Sequence, residues 1–122
     1  MNKRTVLLAD DDPGLRRLVG ATLGSEHFNL LAAADGEETL SVARQTQPAL
    51  ILLDINMPRR IGLEVCRLLK GDPSTSHIKI VMLTASGSDV DRTRALEASA
   101  DDYFIKPFSP IALLDKVYAL LG

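Results

Sequence analysis

The sequence predicts an α/β domain in which a parallel sheet is covered by helices on both faces. Three observations support this: five short apolar runs have the length of strands, each is followed by helix-start residues or helical spacing, and the two signals alternate along all 122 residues. Such alternation produces right-handed crossovers that place helices on both sides of one sheet. We therefore expect a single three-layer domain over residues 1–122.

The first two strand–helix units have clear boundaries. Residues 5–9 form an unbroken apolar run, as in a strand buried on both faces, and three aspartates follow it. Asp12 suits the N-cap and Pro13 the first helical position, and Gly24 is expected to end this helix. Residues 28–33 are the second strand, residues 35–38 are a variant helix-start box, and the second helix should end before Pro48.

The third unit contains the central strand. Residues 50–53 are apolar and lead directly into Asp54, so a buried strand delivers a carboxylate at its C-terminal end. Apolar residues at 61, 65, 68 and 69 then predict a helix, which the segment Gly71-Asp72-Pro73 should break.

The last two units follow the same plan. Residues 78–83 form the fourth strand and deliver Thr84, and a polar helix is expected over about residues 89–98, with modest apolar content. Residues 103–105 form the fifth strand, and Ser109-Pro110 opens the last helix. The predicted apolar residues are Val90, Thr93, Ala95, Leu96 and Ala98 in the fourth helix and Leu113, Leu114, Val117, Leu120 and Leu121 in the fifth.

Composition narrows the class of protein. With Lys+Arg 14 against Asp+Glu 16, the net charge of −2 gives no broad electrostatic reason to expect nucleic acid or an anionic membrane as a direct partner. The apolar stretch after the N-terminus is too short to span a membrane, and no leader pattern precedes it, so we expect a soluble cytoplasmic protein. The single cysteine, Cys66, lies in an apolar-periodic segment and is predicted to be an inert core thiol.

Polar residues follow four of the five predicted strands. Asp10 and Asp11 come after the first, Asp54 ends the third, Thr84 follows the fourth, and Lys106 ends the fifth. Because the carboxyl ends of parallel strands lie at one edge of the sheet, these side chains should meet over a single crevice.

Three carboxylates gathered there would repel one another. At about 5 Å and an effective dielectric near 20, each pair costs roughly 3 kcal/mol, enough to protonate one carboxyl group or disrupt the site. A divalent cation relieves this repulsion, and Mg²⁺ suits carboxylate oxygens, so the sequence predicts a magnesium site with Lys106 as an additional counter-charge.

This arrangement suits a phosphoryl acceptor. A metal-bound aspartate can attack phosphorus and hold the product as an acyl phosphate. Asp54 would be the nucleophile, while Mg²⁺, Lys106 and the Thr84 hydroxyl would each contact one equatorial phosphoryl oxygen.

In order and spacing these residues resemble the receiver domain of two-component response regulators, and the chain is similar to single-domain chemotaxis-type regulators. The resemblance implies a flavodoxin-like, doubly wound, five-stranded parallel sheet of order 2-1-3-4-5 with five helices. It rests on Asp10-Asp11, Asp54 with Asn56-Met57-Pro58, Thr84-Ala85, and Lys106-Pro107-Phe108.

The resemblance also implies a reaction and its ligands. A histidine kinase or histidine phosphotransfer protein would donate the phosphoryl group to Asp54. Mg²⁺ would be held by Asp11, Asp54, the backbone carbonyl of Asn56 and, through water, Asp10. Such a domain is not an enzyme in the usual sense, since it catalyses only its own phosphorylation and dephosphorylation.

A switch is implied in the same way. Thr84 would follow the phosphoryl group while Tyr103 changes rotamer, which alters the surface formed by the fourth helix, fifth strand and fifth helix. That surface would control a downstream partner or effector domain and could dimerise on phosphorylation. A cis peptide bond at Lys106-Pro107 is implied too.

Several positions depart from the family pattern or leave alternatives open. Arg59-Arg60-Ile61 replaces the usual small, apolar and acidic residues. We interpret the two arginines as solvated loop charge; the alternative is that they stabilise the phosphate or repel a basic kinase surface. Ser99 stands where glycine is common, so its backbone either avoids positive φ or tolerates it. Asp12 could be an N-cap or belong to the metal shell, and Asp101-Asp102 is predicted to form a solvated turn.

Three other functions compete with the signalling switch. A flavin-binding electron carrier would need a phosphate-cradling loop after the first strand, where this chain has carboxylates. A phosphatase would need a second acid–base carboxylate behind Asp54, where Asn56 stands. A degenerate receiver that binds partners without phosphorylation is disfavoured, because all the chemical residues are present.

Overall fold

The computed structural model describes residues 4–23, 28–55, 62–84, 89–106 and 109–121. Within these ranges it contains a five-stranded, all-parallel sheet of order 2-1-3-4-5 and five helices, which confirms the predicted three-layer, flavodoxin-like architecture. The elements are β1 Arg4–Ala9, α1 Pro13–Leu23, β2 Phe28–Ala33, α2 Gly36–Thr46, β3 Leu50–Asp54, α3 Gly62–Gly71, β4 Lys79–Thr84, α4 Asp89–Glu97, β5 Asp102–Ile105 and α5 Pro110–Leu121.

The sheet separates two hydrophobic cores. Alternate residues of β3 point to opposite faces: Ile51 and Leu53 pack with residues of α2, α3 and α4, whereas Leu50 and Leu52 pack with residues of α1 and α5. All four side chains are buried, which explains why this strand is apolar without alternation. The central strand is thus fixed from both sides before it reaches Asp54.

Side-chain caps determine where two of the helices begin. The amide of Gly14 donates to Asp12 Oδ1 at 2.9 Å, so Asp12 caps α1. At α2, Asp35 Oδ1 accepts from the amide of Glu38 at 2.8 Å while Glu38 Oε1 accepts from the amide of Ala34 at 2.7 Å. These reciprocal bonds confirm the predicted helix-start box.

A residue with left-handed backbone conformation ends α2, and another follows α4. Gln47, the C-cap of α2, has φ 50°, and α2 ends before Pro48 as predicted. Ser99 has φ 68°, so at this position the backbone adopts the positive φ that favours glycine and tolerates a serine. The expected end of α1 at Gly24 lies outside the described residues.

The buried faces of α3 and α4 differ in part from the predicted ones. Leu68 of α3 is 39% exposed because it lies at the border of a stripe formed by Leu63, Val65, Cys66 and Leu69. Among the α4 side chains that the structure describes, Ala95 packs into the core, and Ala98 does so just beyond the helix. Val90 and Leu96 are 59% and 66% exposed and Thr93 is exposed, because this polar helix covers the sheet with a narrow face. In α5, Leu113 and Val117 are buried as predicted, and Leu114, Leu120 and Leu121 pack partly buried against them.

Asp101 lies in an exposed bend before β5, as predicted, but its carboxylate is paired. Its Oδ2 accepts a hydrogen bond from the amide of Ile80 at 2.8 Å and pairs with Lys70 Nζ at 2.7 Å. Lys70 Nζ also donates to the carbonyl oxygens of Ser76 and Ile78, so one ammonium group joins the end of α3, the entry to β4 and the turn before β5. Asp102 pairs with Lys116 of α5 at 2.8 Å.

Cys66 is buried, as predicted. Its side chain is fully inaccessible and Sγ donates to the carbonyl of Ala98 at 3.3 Å. Burial raises the pKa of this thiol to about 11, so the neutral form dominates at physiological pH.

None of the helices in the described ranges has both the length and the apolar character needed to cross a bilayer.

Candidate functional site

Asp10 is the most deeply buried acidic residue of the site, at 1% exposure. It immediately follows β1, and its amide donates to the carbonyl of Ala33 at 3.2 Å, which extends the pairing of β1 with β2. Its carboxylate is held on both oxygens: Oδ1 accepts from the amide of Asp12 at 3.0 Å, and Oδ2 accepts from Lys106 Nζ at 2.6 Å. A buried carboxylate is tolerated here because both of its oxygens are hydrogen-bonded.

Asp54 and Asp11 complete an acidic cluster with Asp10. One carboxylate oxygen from each residue can be chosen so that all three oxygens lie within 4.8 Å of one another. Asp10 is buried, Asp54 is half-buried and Asp11 is exposed, so the cluster opens to solvent on one side. The predicted convergence of separate strand ends is therefore observed for the carboxylates.

Lys106 provides a positive charge at this cluster. Besides its bond to Asp10, Nζ lies 3.7 Å from Asp54 Oδ1. Partial burial disfavours the charged amine, but the hydrogen bond to Asp10 and the charges of Asp54, Asp10 and Asp12 outweigh it and raise the pKa of Lys106. Lys106 is an ammonium group at neutral pH and can contact an anion bound at Asp54.

Thr84 lies on the neighbouring strand end. β4 pairs with β3 so that Asp54 is opposite Leu83, and Thr84 is the next residue. Thr84 is 4% exposed, and its carbonyl accepts from the amide of Lys106 at 2.7 Å. This bond ties the ends of β4 and β5 together and keeps the predicted hydroxyl and ammonium residues adjacent in the sheet.

Tyr103, the predicted switch residue, is half-buried in β5 and packs against the core on the α4 side. The guanidinium of Arg92 in α4 lies 5.2 Å from the centre of its ring, within cation–π distance. Tyr103, Arg92 and Leu96 are among the residues that line a shallow surface cavity between α4 and β5.

Several predicted features lie outside the described residues. They are the Asn56 carbonyl with Met57-Pro58, the Arg59-Arg60-Ile61 loop, Ala85, and the Lys106-Pro107 peptide bond with Phe108. Asp12 is described and acts as the α1 N-cap, and it is not part of the carboxylate cluster.

Sequence reasoning missed two residues next to the site. Arg16 Nε donates to the carbonyl of Asp10 at 3.0 Å. Gly62 donates its amide to the carbonyl of Ile55 at 2.8 Å, and a Cβ on Gly62 would lie 1.9 Å from the carbonyl oxygen of Asp54. The sequence does not indicate that a single arginine on a helix will bind a backbone carbonyl. A glycine shortly after the central strand, by contrast, does indicate that two backbone segments approach closely.

The donor set fits a hard divalent cation. Among the described residues, three carboxylates lie together and the Lys106 ammonium group pairs with two of them, those of Asp10 and Asp54. Oxygen-only donors with an open side are the ligands that Mg²⁺ takes while retaining water molecules.

Fold and site together define a class: flavodoxin-like α/β domains with an acidic pocket and a lysine at the C-terminal edge of the sheet. Residues 6–118 match the family model of the response regulator receiver domain. The chain belongs to the response regulator receiver domain family of two-component systems. Membership disfavours the flavin carrier and the phosphatase.

Individual relatives support the same family assignment. The DNA-binding response regulator MtrA of Mycolicibacterium smegmatis is 40% identical over 119 residues, covering 98% of this chain and 51% of MtrA. Chemotaxis response regulator CheY4 of Vibrio cholerae superimposes with a TM-score of 0.91 at 29% identity, covering 98% of this chain and all of that one. The receiver domain of sensor histidine kinase PA1611 from Pseudomonas aeruginosa, which has a magnesium ion coordinated in its active-site cleft, gives a TM-score of 0.90 at 26% identity, covering 99% of each chain.

The chain spans about half the length of the curated relatives it matches. The similarity therefore concerns their receiver region.

Proposed function

We propose that this chain is a phosphorylation-controlled signalling switch that accepts a phosphoryl group on Asp54. The observation that carries the proposal is the convergence of the Asp10, Asp11 and Asp54 carboxylates beside the Lys106 ammonium group at one edge of the sheet. The donor would be a phosphohistidine of a histidine kinase or of a histidine phosphotransfer protein.

In the reaction an Asp54 carboxylate oxygen attacks phosphorus and forms the new P–O bond. The P–N bond to the donor imidazole breaks, its electron pair stays on the imidazole nitrogen, and an acyl phosphate remains on Asp54. Lys106 would stabilise one phosphoryl oxygen by charge and Thr84 a second by its hydroxyl, while Asp10 holds Lys106 in place.

Asp11, Asp54, the Asn56 carbonyl and, through water, Asp10 would hold Mg²⁺. When bound, the ion neutralises the cluster and compensates the charge of the transferred phosphoryl oxygens.

The output surface would consist of α4, β5 and α5. Thr84 would move toward the phosphoryl group, and Tyr103, which packs between the core and Arg92, would change rotamer. This would alter what α4-β5-α5 binds: an effector domain, a separate partner or a second copy of the chain.

Residues 1–122 would act as one receiver domain in the cytoplasm, with no direct contact to nucleic acid or membrane. Because relatives such as MtrA are DNA-binding response regulators, an attached effector domain is the natural recipient of the signal. A degenerate receiver is disfavoured by the close approach of Lys106 to Asp54.

Mass spectrometry tests the proposal. Incubation with Mg²⁺ and acetyl phosphate should add one phosphoryl mass to the wild-type chain and none to Asp54→Asn, while Asp89→Asn, an exposed carboxylate on α4, should label like wild type. Equal labelling of wild type and Asp54→Asn would refute the assignment, and absence of labelling would favour a degenerate receiver.

Lys106→Ala separates acceptance from switching. We expect this variant to become phosphorylated with Mg²⁺ present, because the attacking carboxylate remains, but its α4-β5-α5 surface should no longer respond, because the link from the phosphoryl group to β5 is lost. Two-dimensional NMR of α4 and β5 amides with and without acetyl phosphate measures this. If acetyl phosphate changes the amide chemical shifts of Lys106→Ala as much as those of wild type, Lys106 is not needed for switching.

A further inference from the structure

Arg16 joins α1 to the acidic cluster through the main chain. It lies in the first turns of α1, is half-buried, and donates from Nε to the carbonyl oxygen of Asp10 at 3.0 Å. Arg17, the next residue, is exposed. Two adjacent arginines of one helix thus differ in their contact with the site.

The bond completes a set of restraints on Asp10. Its amide is fixed by Ala33, its two carboxylate oxygens by Asp12 and Lys106, and its carbonyl by Arg16. Of these, the Arg16 bond acts on the peptide group that connects Asp10 to Asp11. The orientation of that peptide determines where the Asp11 carboxylate lies relative to Asp10.

The orientation of the Asp10–Asp11 peptide is important because Asp11 is exposed and lies outside the hydrogen-bonded strand, so the sheet does not hold it in place. A magnesium site needs its oxygen ligands at nearly ideal octahedral positions, so rotation of the Asp10–Asp11 peptide would misplace one ligand against the others. Groups that orient metal ligands affect affinity although they do not touch the metal.

We propose that Arg16 is a positioning residue for the magnesium site: its Nε–H holds the Asp10 carbonyl and thereby fixes the Asp11 carboxylate for metal binding. The inference rests on the proposed function, since it assumes that the acidic cluster binds Mg²⁺. It assigns Arg16 no contact with the metal or with the phosphoryl group.

Charge and positioning predict opposite effects when Arg16 is replaced. Removing a cation next to an acidic cluster should tighten Mg²⁺ binding by electrostatics alone. Removing the hydrogen bond should weaken it. The variants Arg16→Gln and Arg16→Met separate the two effects: both are neutral and keep much of the aliphatic stem, but only glutamine has an N–H donor at the position of Nε.

Isothermal titration of Mg²⁺ into the metal-free protein is the test. We expect Arg16→Met to bind about tenfold more weakly than wild type. Arg16→Gln should bind within about threefold of wild type, because the donor is retained. Arg17→Met, the matched control, should not weaken binding. Circular dichroism in EDTA checks folding, and Arg16→Leu replaces the methionine variant if that variant is unfolded.

The other outcomes overturn the inference. If wild type binds Mg²⁺ and Arg16→Met binds it at least as tightly as Arg16→Gln does, the N–H donor does not position the site and Arg16 acts only by charge or not at all. Absence of Mg²⁺ binding by wild type itself would instead remove the metal site from the proposed function, and this inference with it.

Discussion

Gly62 lies where α3 passes the end of β3 at very close range. A Cβ there would be 1.9 Å from the Asp54 carbonyl oxygen and 2.9 Å from its carbonyl carbon, both backbone atoms that cannot rotate away. We expect Gly62→Ala to destabilise the domain by about 2 kcal/mol, because α3 must shift against the core. It should also slow phosphorylation, since the shift moves Asp54.

Gly71, in the last turn of the same helix, is the matched control for Gly62. Beyond its chain neighbours and its own helix backbone, no atom of the described residues lies within 4 Å of a Cβ placed there, so Gly71→Ala should be neutral or stabilise by up to about 1 kcal/mol through the unfolded chain. Urea denaturation of both variants is the measurement. Equal effects at the two positions would contradict the close-approach argument.

Cys66 gives stability a dependence on alkaline pH. Its pKa rises from 9.0 to about 11 on folding, chiefly by burial, so between these pH values the folded state keeps a proton that the unfolded chain has released. Stability must then fall as pH rises from 9 to 11, by up to about 3 kcal/mol.

Two measurements test this prediction for Cys66. At pH 8 its thiol should react with Ellman's reagent far more slowly in the folded protein than in urea. Urea midpoints from pH 8 to 11 should decline more steeply for wild type than for Cys66→Ala, whose cavity cost does not depend on pH. Parallel declines would show that the thiol is not responsible.

At the scale of elements, the Lys70–Asp101 pair connects segments that are distant in sequence. The Lys70 and Asp101 side chains are 13% and 23% exposed, and Asp101 also accepts the Ile80 amide. We expect Asp101→Asn to destabilise the domain by about 2 kcal/mol, because the Lys70 ammonium group loses its charged acceptor in a largely buried position.

The neighbouring residue provides the comparison for Asp101. Asp102 pairs with Lys116, but both side chains are 31% exposed, so water screens the pair and Asp102→Asn should cost less than about 1 kcal/mol. Thermal unfolding of the two variants at one pH checks the order. A larger loss for Asp102→Asn would mean that burial does not determine the strength of these pairs.

Most helices and strands could be predicted from the sequence, because the patterns that define them involve residues close together in the chain. Five apolar runs identified the strands because a parallel sheet buries both faces, and caps such as Asp12 and Asp35 identified helix starts because they act over three residues. The exposed Leu96 and the paired Asp101 were not predictable: the first depends on how much of α4 the sheet covers, and the second on a lysine 31 positions away. The hydrogen bond of Arg16 was not predictable either, because its acceptor is a backbone carbonyl, which every residue has.

At the scale of the whole molecule, the proposed metal binding by the acidic cluster would be coupled to folding. Asp10, Asp11 and Asp54 belong to the ends of two strands, so their carboxylates converge only in the folded chain. A cation that binds this arrangement and not the unfolded chain must stabilise the entire domain. At a free Mg²⁺ concentration about 100 times Kd the gain is about 2.7 kcal/mol.

Asp11 and Asp12 offer a matched pair for this linkage, since both are exposed aspartates and only Asp11 belongs to the cluster. Asp11→Asn should abolish most of the Mg²⁺-dependent rise in melting temperature, and in EDTA it should be more stable than wild type because it relieves carboxylate repulsion. Asp12→Asn should keep the Mg²⁺ response, because asparagine caps a helix as well as aspartate does. Differential scanning calorimetry with Mg²⁺ and with EDTA distinguishes the variants, and an equal Mg²⁺ response of both would contradict the assignment of Asp11 as a ligand.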